Sequence, residues 1–438
     1  MKKYFSVISC IVIALNSFNA QSQTPYYMDN PVGFAAGVTG GGTPTSSNTV
    51  TVTTSSELSS ALSGSKTVIL ISGKITTLRL TCTASNKSII GLPGATLTNL
   101  NQTEDSSGIL NLKSGSNVII RNIIFIGPGA YDVDGWDLIT NKGCTNLWVD
   151  HCEFQDGMDG NFDNTNSADN ITVSWCKFTY LKSPKSGGSG GSADHRFTNL
   201  VGGSDSDTPD DGFYSITWLN CWWTTGCVDR MVRARNAKND MLNCYWNSQD
   251  ASKNIHLSPG DNGTYIYVAN GVFECTGEIL NFEKTGNNNV KFVNCSGGGS
   301  NTGSVSAPTY SWVSTSVSNV KSMVSNTSCG AGATLKVTAD GVISSSCTST
   351  DIAERNETEN NNNFLINNEL NISFSQMTSE NAVIIIYGVN GQKVFSFIKR
   401  SAANENIRQN ISRLVPGIYF VKIQDRNSMA TGKFLKKL

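Results

Sequence analysis

One nine-residue phrase recurs along the middle of the chain: NVIIRNIIF from Asn117, NLWVDHCEF from Asn146, NITVSWCKF from Asn170 and SITWLNCWW from Ser215. KNDMLNCYW from Lys238, YIYVANGVF from Tyr265 and a truncated NVKFVNC from Asn289 extend the series. With the seventh residue as reference, Ile123, Cys152, Cys176, Cys221, Cys244, Gly271 and Cys295 are separated by 29, 24, 45, 23, 27 and 24 residues. A repeat of about 23 residues with tolerated insertions is the signature of a solenoid. The alternating Val, Ile and Trp predict a strand for each copy, and the long segments between copies carry no helical period. The expected fold class is therefore all-β, a parallel β-helix in which residues of equal offset stack on one another.

Residues 1–22 read as a secretory signal peptide. Lys2 and Lys3 precede an apolar run from Tyr4 to Leu15, and Asn19-Ala20-Gln21 offers a small-residue cleavage point. No later run of 18 apolar residues exists. Of the 12 cysteines, 11 remain once Cys10 leaves with the signal. Cys152, Cys176, Cys221, Cys244 and Cys295 share one register and are expected to stack as small buried thiols. Cys221–Cys227 and Cys329–Cys347 are the disulfide candidates, and none of the cysteines has zinc-type spacing.

The formal net charge of −1 hides a split. Residues 364–438 hold ten Lys/Arg against four Asp/Glu, whereas 4–363 hold 21 against 30. The larger region is acidic, which suits a cation site and argues against nucleic-acid binding. The organisation expected is a parallel β-helix domain over 23–348, a polar linker over 349–363 and a small all-β module over 364–438, with a β-sandwich-like arrangement. A helix near 56–63, opened by serine and rich in Leu and Ala, would cap the first coil. Asn390-Gly391 between apolar alternations signals a hairpin in the C-terminal module. The segment SPKSGGSGGSADHRF is an inserted flexible loop by composition.

Register also selects residues. Asp137 lies 14 past Ile123, Asp159 and Asp163 lie 7 and 11 past Cys152, and Arg230 and Arg235 lie 9 and 14 past Cys221. Stacked coils would bring all five to one side wall, about 5 Å apart per coil. Several carboxylates converging from adjacent coils suit a hard cation such as calcium, with Asp134 a candidate fourth ligand. Neighbouring guanidinium groups suit a substrate that carries its own carboxylates, a polyuronate. Asp150-His151 precedes the reference turn, so its register places it away from that wall as a structural pair.

The strings GFAAGVTGG (33–41), WVDH (148–151), DGNFD (159–163) and RMVRAR (230–235) resemble polysaccharide lyase family 1, the pectate lyases. The resemblance covers roughly residues 30–300. It implies a right-handed parallel β-helix, Ca2+ in a groove, and cleavage of polygalacturonate by β-elimination to 4,5-unsaturated products. Carried over by position, Asp137, Asp159 and Asp163 match calcium ligands. Arg230 matches the base that removes the C5 proton, and Arg235 the group that grips a substrate carboxylate. The basic residue of the intervening coil is Lys182 by register, with Lys185 and Arg196 as competitors because of the insert. Val232 stands where relatives have proline, and Asp240 where they have histidine. A guanidinium acting as base implies an alkaline optimum. YGVNGQKVFSF, LVPGIYFVKI and the basic end resemble the sorting domain of the type IX secretion system. Together these imply a secreted or cell-surface-attached monomer whose partners are pectate and the secretion machinery. The rival readings are a pectin lyase acting on methyl-esterified chains without calcium, and a non-catalytic glycan-binding β-helix.

Overall fold

The computed structural model describes residues 26–347 together with 369–372, 381–388, 392–400, 407–411, 413–415, 417–424 and 429–436. The expected signal peptide and linker lie outside the described residues. The chain divides into two compact units, 1–348 and 349–438.

The first unit is a parallel β-helix with three sheets. One carries Ile139–Lys142, Phe162–Thr165, Leu200–Val201, Arg233–Ala234, Lys253–Leu257 and Glu278–Phe282. A second carries Cys144–Asp150, Ile171–Ser174, Tyr214–Leu219, Ala237–Leu242, Thr264–Ala269 and Asn288–Val293. The long strand Leu110–Arg121 joins them by pairing in parallel with members of both. The third sheet runs from Lys74–Thr76 to Val272–Phe273. Each phrase was expected to form one strand. Instead it spans two sheets, for example Cys144–Asp150 and then Glu153–Gln155.

The break falls at the sixth phrase position. Asn122, His151, Trp175, Asn220, Asn243, Asn270 and Asn294 all have φ between 47° and 61°. That left-handed backbone costs about 1–2 kcal/mol for a residue with a side chain. Asparagine tolerates it best, because its short amide bonds locally. Asn243 Nδ2 donates to Asn220 Oδ1 at 3.1 Å, and Asn270 Nδ2 donates to Asn243 Oδ1 at 3.0 Å. Where His151 and Trp175 replace asparagine, their rings stack at 5.6 Å instead.

The ninth phrase position builds the core. Phe125, Phe154, Phe178, Trp223, Trp246 and Phe273 form one column with centroid spacings of 5.2, 5.1, 5.5, 4.9 and 4.2 Å. The seventh position gives a thiol column: the Sγ atoms of Cys152, Cys176, Cys221 and Cys244 donate to backbone carbonyls of the preceding coil and of the residue two before each. All four are free and fully buried. Cys329 and Cys347 form a disulfide. Cys221 and Cys227 do not, because each thiol is spent on a separate carbonyl, of Val173 and of Phe178, both at 3.3 Å.

Helix Ser55–Ser63 buries Leu58, Ala61 and Leu62 in the same core as the first coils. Its N-cap is Thr54 rather than a serine: Thr54 Oγ1 accepts from Glu57 N, and Glu57 reaches back to the Thr54 amide. None of the described helices is long and apolar enough to cross a membrane. In the second unit, Asn381–Gly388 and Lys393–Arg400 pair antiparallel on either side of the expected hairpin turn. Gly417–Gln424 and Met429–Lys436 complete a four-stranded sheet, and Glu369–Ile372 pairs with Ile407–Asn410.

Asn243 accepts from Asn270 and Thr315 and donates to Asn220 and Val313. Replacing it with alanine loses these bonds and keeps an unfavourable φ. Asn243→Ala should lower stability by about 2–4 kcal/mol, measured by chemical denaturation of the purified protein.

Candidate active site

The sheet that begins at Ile139–Lys142 positions the candidate groups. Asp163 sits on strand Phe162–Thr165, opposite Thr140 in the parallel register. Asp137 lies just before the preceding strand, where the Thr140 hydroxyl donates to its Oδ2 at 2.7 Å. Asp163 Oδ1 accepts from the Leu200 amide at 2.9 Å. Asp137 Oδ1 is buried, and among the described residues no donor hydrogen-bonds to it.

Gly160 shows how closely the two carboxylates converge. A Cβ on it would stand 2.5 Å from Asp137 Oδ1 and 3.2 Å from Asp163 Oδ1. Two buried carboxylates beside one gap cannot both carry charge without compensation. Burial, reinforced by Asp163 and then Asp159, pushes Asp137 well above the usual carboxylate range. Burial likewise raises Asp163 to about 7, against the opposing pull of Arg230 and of the Leu200 amide. In the metal-free protein the pair therefore holds a proton near neutrality.

Asp159 is only part of this cluster. Its Oδ1 lies 3.0 Å from His195 Nε2, and His195 Nδ1 is 2.8 Å from Asp132 Oδ1 on the other side. Asp132 also accepts from the Ser192 amide. His195 belongs to the inserted loop, so the insert clamps the third carboxylate. Asp134 is exposed, and it takes no part in these contacts.

Arg230 enters from two coils further on, just before strand Arg233–Ala234. Its backbone is left-handed, with φ 63°, and its amide donates to Asp229 Oδ1 at 2.5 Å. Its carbonyl accepts from the Asn199 amide at 2.8 Å. These bonds aim the side chain over Phe197, with Cζ 4.6 Å from the ring centroid. Among the described residues no hydrogen bond or ion pair holds the Arg230 guanidinium, yet its charge is felt by both Asp137 and Asp163.

Arg235 donates to the Gly203 carbonyl at 2.8 Å and keeps looser ion pairs with Glu283 and Asp205, at 3.7 and 3.8 Å. Arg233, between the two, is bound tightly to Glu283. Of the three basic candidates from the insert region, Lys182 donates to the Gly127 carbonyl at 2.6 Å. Lys185 lies over the Tyr131 ring, and Arg196 is paired with Asp194. Asp150 is buried among Arg121, His151 and Ser174, in the second sheet and apart from the cluster.

Among the described residues no three acidic, His or Cys side chains already stand as a metal shell, and Asp159 is engaged by His195. The donor set nevertheless fits a hard divalent cation. It offers buried carboxylate oxygens at one gap, one of them without a hydrogen-bond donor, and a third carboxylate held by an exchangeable contact.

A family model described as pectate lyase matches residues 6–361. The chain belongs to the pectate lyase family. Residues 366–437 match a secretion system C-terminal sorting domain. The pectate trisaccharide-lyase of Thermotoga maritima is 31% identical over 237 residues, which cover 50% of this chain and 57% of that protein. Pectate lyase B of Colletotrichum gloeosporioides is 30% identical over 292 residues, 63% of this pectate lyase family member and 77% of the relative. The match thus spans less than two thirds of the Thermotoga relative's length. A solved pectate lyase bound to a hexasaccharide shares the fold, with a TM-score of 0.56, 22% identity, and coverage of 71% of this chain and 98% of that one.

Sequence reasoning missed Gly160, His195, Phe197 and Asp132. Gly160 was legible as the residue between two candidate aspartates. His195 and Phe197 carried no signal, since they follow a Gly/Ser-rich insert that breaks the register.

The raised carboxyls fix a pH dependence. Between about pH 4 and 7 the folded metal-free protein keeps a proton on Asp163 that the unfolded chain has released. Stability from this group therefore falls as pH rises through that window. With chelator present, Tm should drop from pH 5 to pH 8, and Asp163→Asn should flatten part of the drop. Added Ca2+ should raise Tm more at pH 8 than at pH 5, by differential scanning calorimetry.

Proposed function

We propose that this protein is an exported, calcium-dependent pectate lyase that cleaves polygalacturonate by β-elimination. The observation that carries the reading is the Asp137–Asp163 pair beside Gly160, near an Arg230 guanidinium that rests on Phe197 and has no hydrogen-bonding or ionic partner among the described residues. Asp137, Asp163 and Asp159, the last released from His195, would hold the cation. When bound, Ca2+ would neutralise the carboxylates and draw charge from a uronate carboxylate, making the proton at C5 more acidic.

Arg230 accepts that C5 proton on its guanidine. The C5–H electron pair forms the C4–C5 double bond, and the C4–O bond breaks, its electrons leaving on the glycosidic oxygen. Protonation of that oxygen completes a shortened chain and a 4,5-unsaturated one. For this task Arg230 must be deprotonated, so activity rises toward alkaline pH. Phe197 supports the guanidinium from one side. Arg235 orients the substrate by exchanging its loose pairs with Glu283 and Asp205 for a substrate carboxylate. Lys182 and Asp134 would border this core; Lys182 must leave the Gly127 carbonyl to take part.

Incubation with polygalacturonate and Ca2+ should produce the absorbance of an unsaturated uronide, and chelator should abolish it. Arg230→Ala should reduce turnover by at least about a thousandfold with the circular dichroism spectrum unchanged. No absorbance in the presence of Ca2+ sinks the lyase reading.

The sorting-domain match supports export, followed by release or surface attachment. Removing residues 364–438 should leave the truncated protein inside the producing cell, as read by fractionation and immunoblotting. Undiminished appearance of the truncated protein outside the cell would contradict that role.

A further inference from the structure

A second cleft lies on the sheet that carries Ala237–Leu242, not on the sheet that carries the Asp137–Arg230 cluster. Its volume is about 400 Å³. The floor comes from two adjacent strands in which Lys238 pairs with Tyr265 and Asp240 with Tyr267. Side chains alternate along a strand, so these groups share the face turned away from the core. Phe34 of the N-terminal segment forms one wall, and residues 304–310 form the other. The wall is tied down: the Phe34 amide donates to Thr217 Oγ1 at 3.2 Å, and the Tyr310 hydroxyl donates to Asp240 Oδ2 at 2.5 Å.

The lining is matched to a sugar. Four aromatic rings border the cleft as two edge-to-face pairs, Phe34 with Tyr310 and Phe213 with Tyr265, each at 5.9 Å. Such rings offer flat apolar surfaces, while Asp240, which accepts from the Tyr310 hydroxyl, supplies a polar group in the lining. Lys238 is exposed, and its Nζ lies 3.8 Å from the Phe213 centroid. Among the described residues no carboxylate pairs with Lys238, so its positive charge sits at the edge of an aromatic platform without an acidic partner.

We propose that this cleft is a second carbohydrate-binding site, for an acidic sugar whose ring stacks on the aromatic groups and whose carboxylate pairs with Lys238. Asp240 accepts from sugar hydroxyls. A neutral sugar would leave Lys238 without a role. Occupied by the same polymer as the groove, the site would hold the protein on its substrate between cleavage events. The choice of polygalacturonate as probe rests on the lyase reading above.

The test uses the full-length protein in affinity electrophoresis through gels that contain polygalacturonate or neutral galactan, with chelator present. Polygalacturonate should retard the native protein, and Lys238→Ala should weaken the apparent Kd about tenfold, the loss of one charge-assisted contact. Lys238→Arg should restore retardation, and turnover of a short oligogalacturonate with Ca2+ should be unchanged in both variants. Retardation that is indifferent to Lys238→Ala, or equal in the galactan gel, overturns the proposal. A protein that retards through Lys238 yet releases no unsaturated product keeps this site and loses the lyase reading; a cleaving protein insensitive at Lys238 does the reverse.

Discussion

From Asn122 to Asn294, seven successive coils leave one sheet and enter the next through a single residue in left-handed backbone, with φ between 47° and 61°. A corner that sharp fixes where the following strand starts. It therefore sets the register of the buried aromatic column, and through it the register of every side chain on the neighbouring sheets. Asparagine makes the corner affordable by bonding to the asparagine of the coil below. Displacement of one corner by a residue would turn inward-facing side chains outward along the coil it feeds.

The carboxylate cluster inherits its order from that register and its tension from burial. Asp137 and Asp163 come from adjacent coils and meet over Gly160, the one position between them with no side chain to interfere. Their mutual repulsion is relieved by a proton and by the charge of Arg230, and a bound cation would relieve it too. His195 adds a fourth influence by engaging Asp159 from a loop that belongs to no coil. The site is thus part solenoid and part insertion: the regular part supplies charge density, and the irregular part sets which carboxylates are free.

That division explains what could be read from the sequence. Asp137, Asp163 and Arg230 were singled out because their offsets, 14, 11 and 9 residues past the reference, fall in one sector of stacked coils, and the structure brings the three together. The same ruler placed Asp150-His151 outside the cluster, where Arg121 and Ser174 hold it. It misread the nine-residue phrase as one strand, because asparagine in the sixth place looks like any polar residue until its φ is known. It could not reach His195, Phe197 or the partners of Lys182, since loop residues obey local hydrogen bonds rather than a period. The Cys221–Cys227 pairing failed for a related reason: nearness in sequence says nothing about two thiols already donating to different strands.

The thiol column has a consequence for a protein that carries a sorting domain. Burial raises the Cys176 and Cys221 thiols well above their ordinary range, and each hydrogen is shared with carbonyls. Thiol–disulfide exchange needs a thiolate that can be reached. The stacked coils deny both, so these cysteines are chemically quiet once folded, whatever the redox state around them. Before stacking they are ordinary reactive thiols spaced along a loose chain. Where the surroundings are oxidising, coils that form first would shelter these thiols, and oxidation that came first would cross-link them.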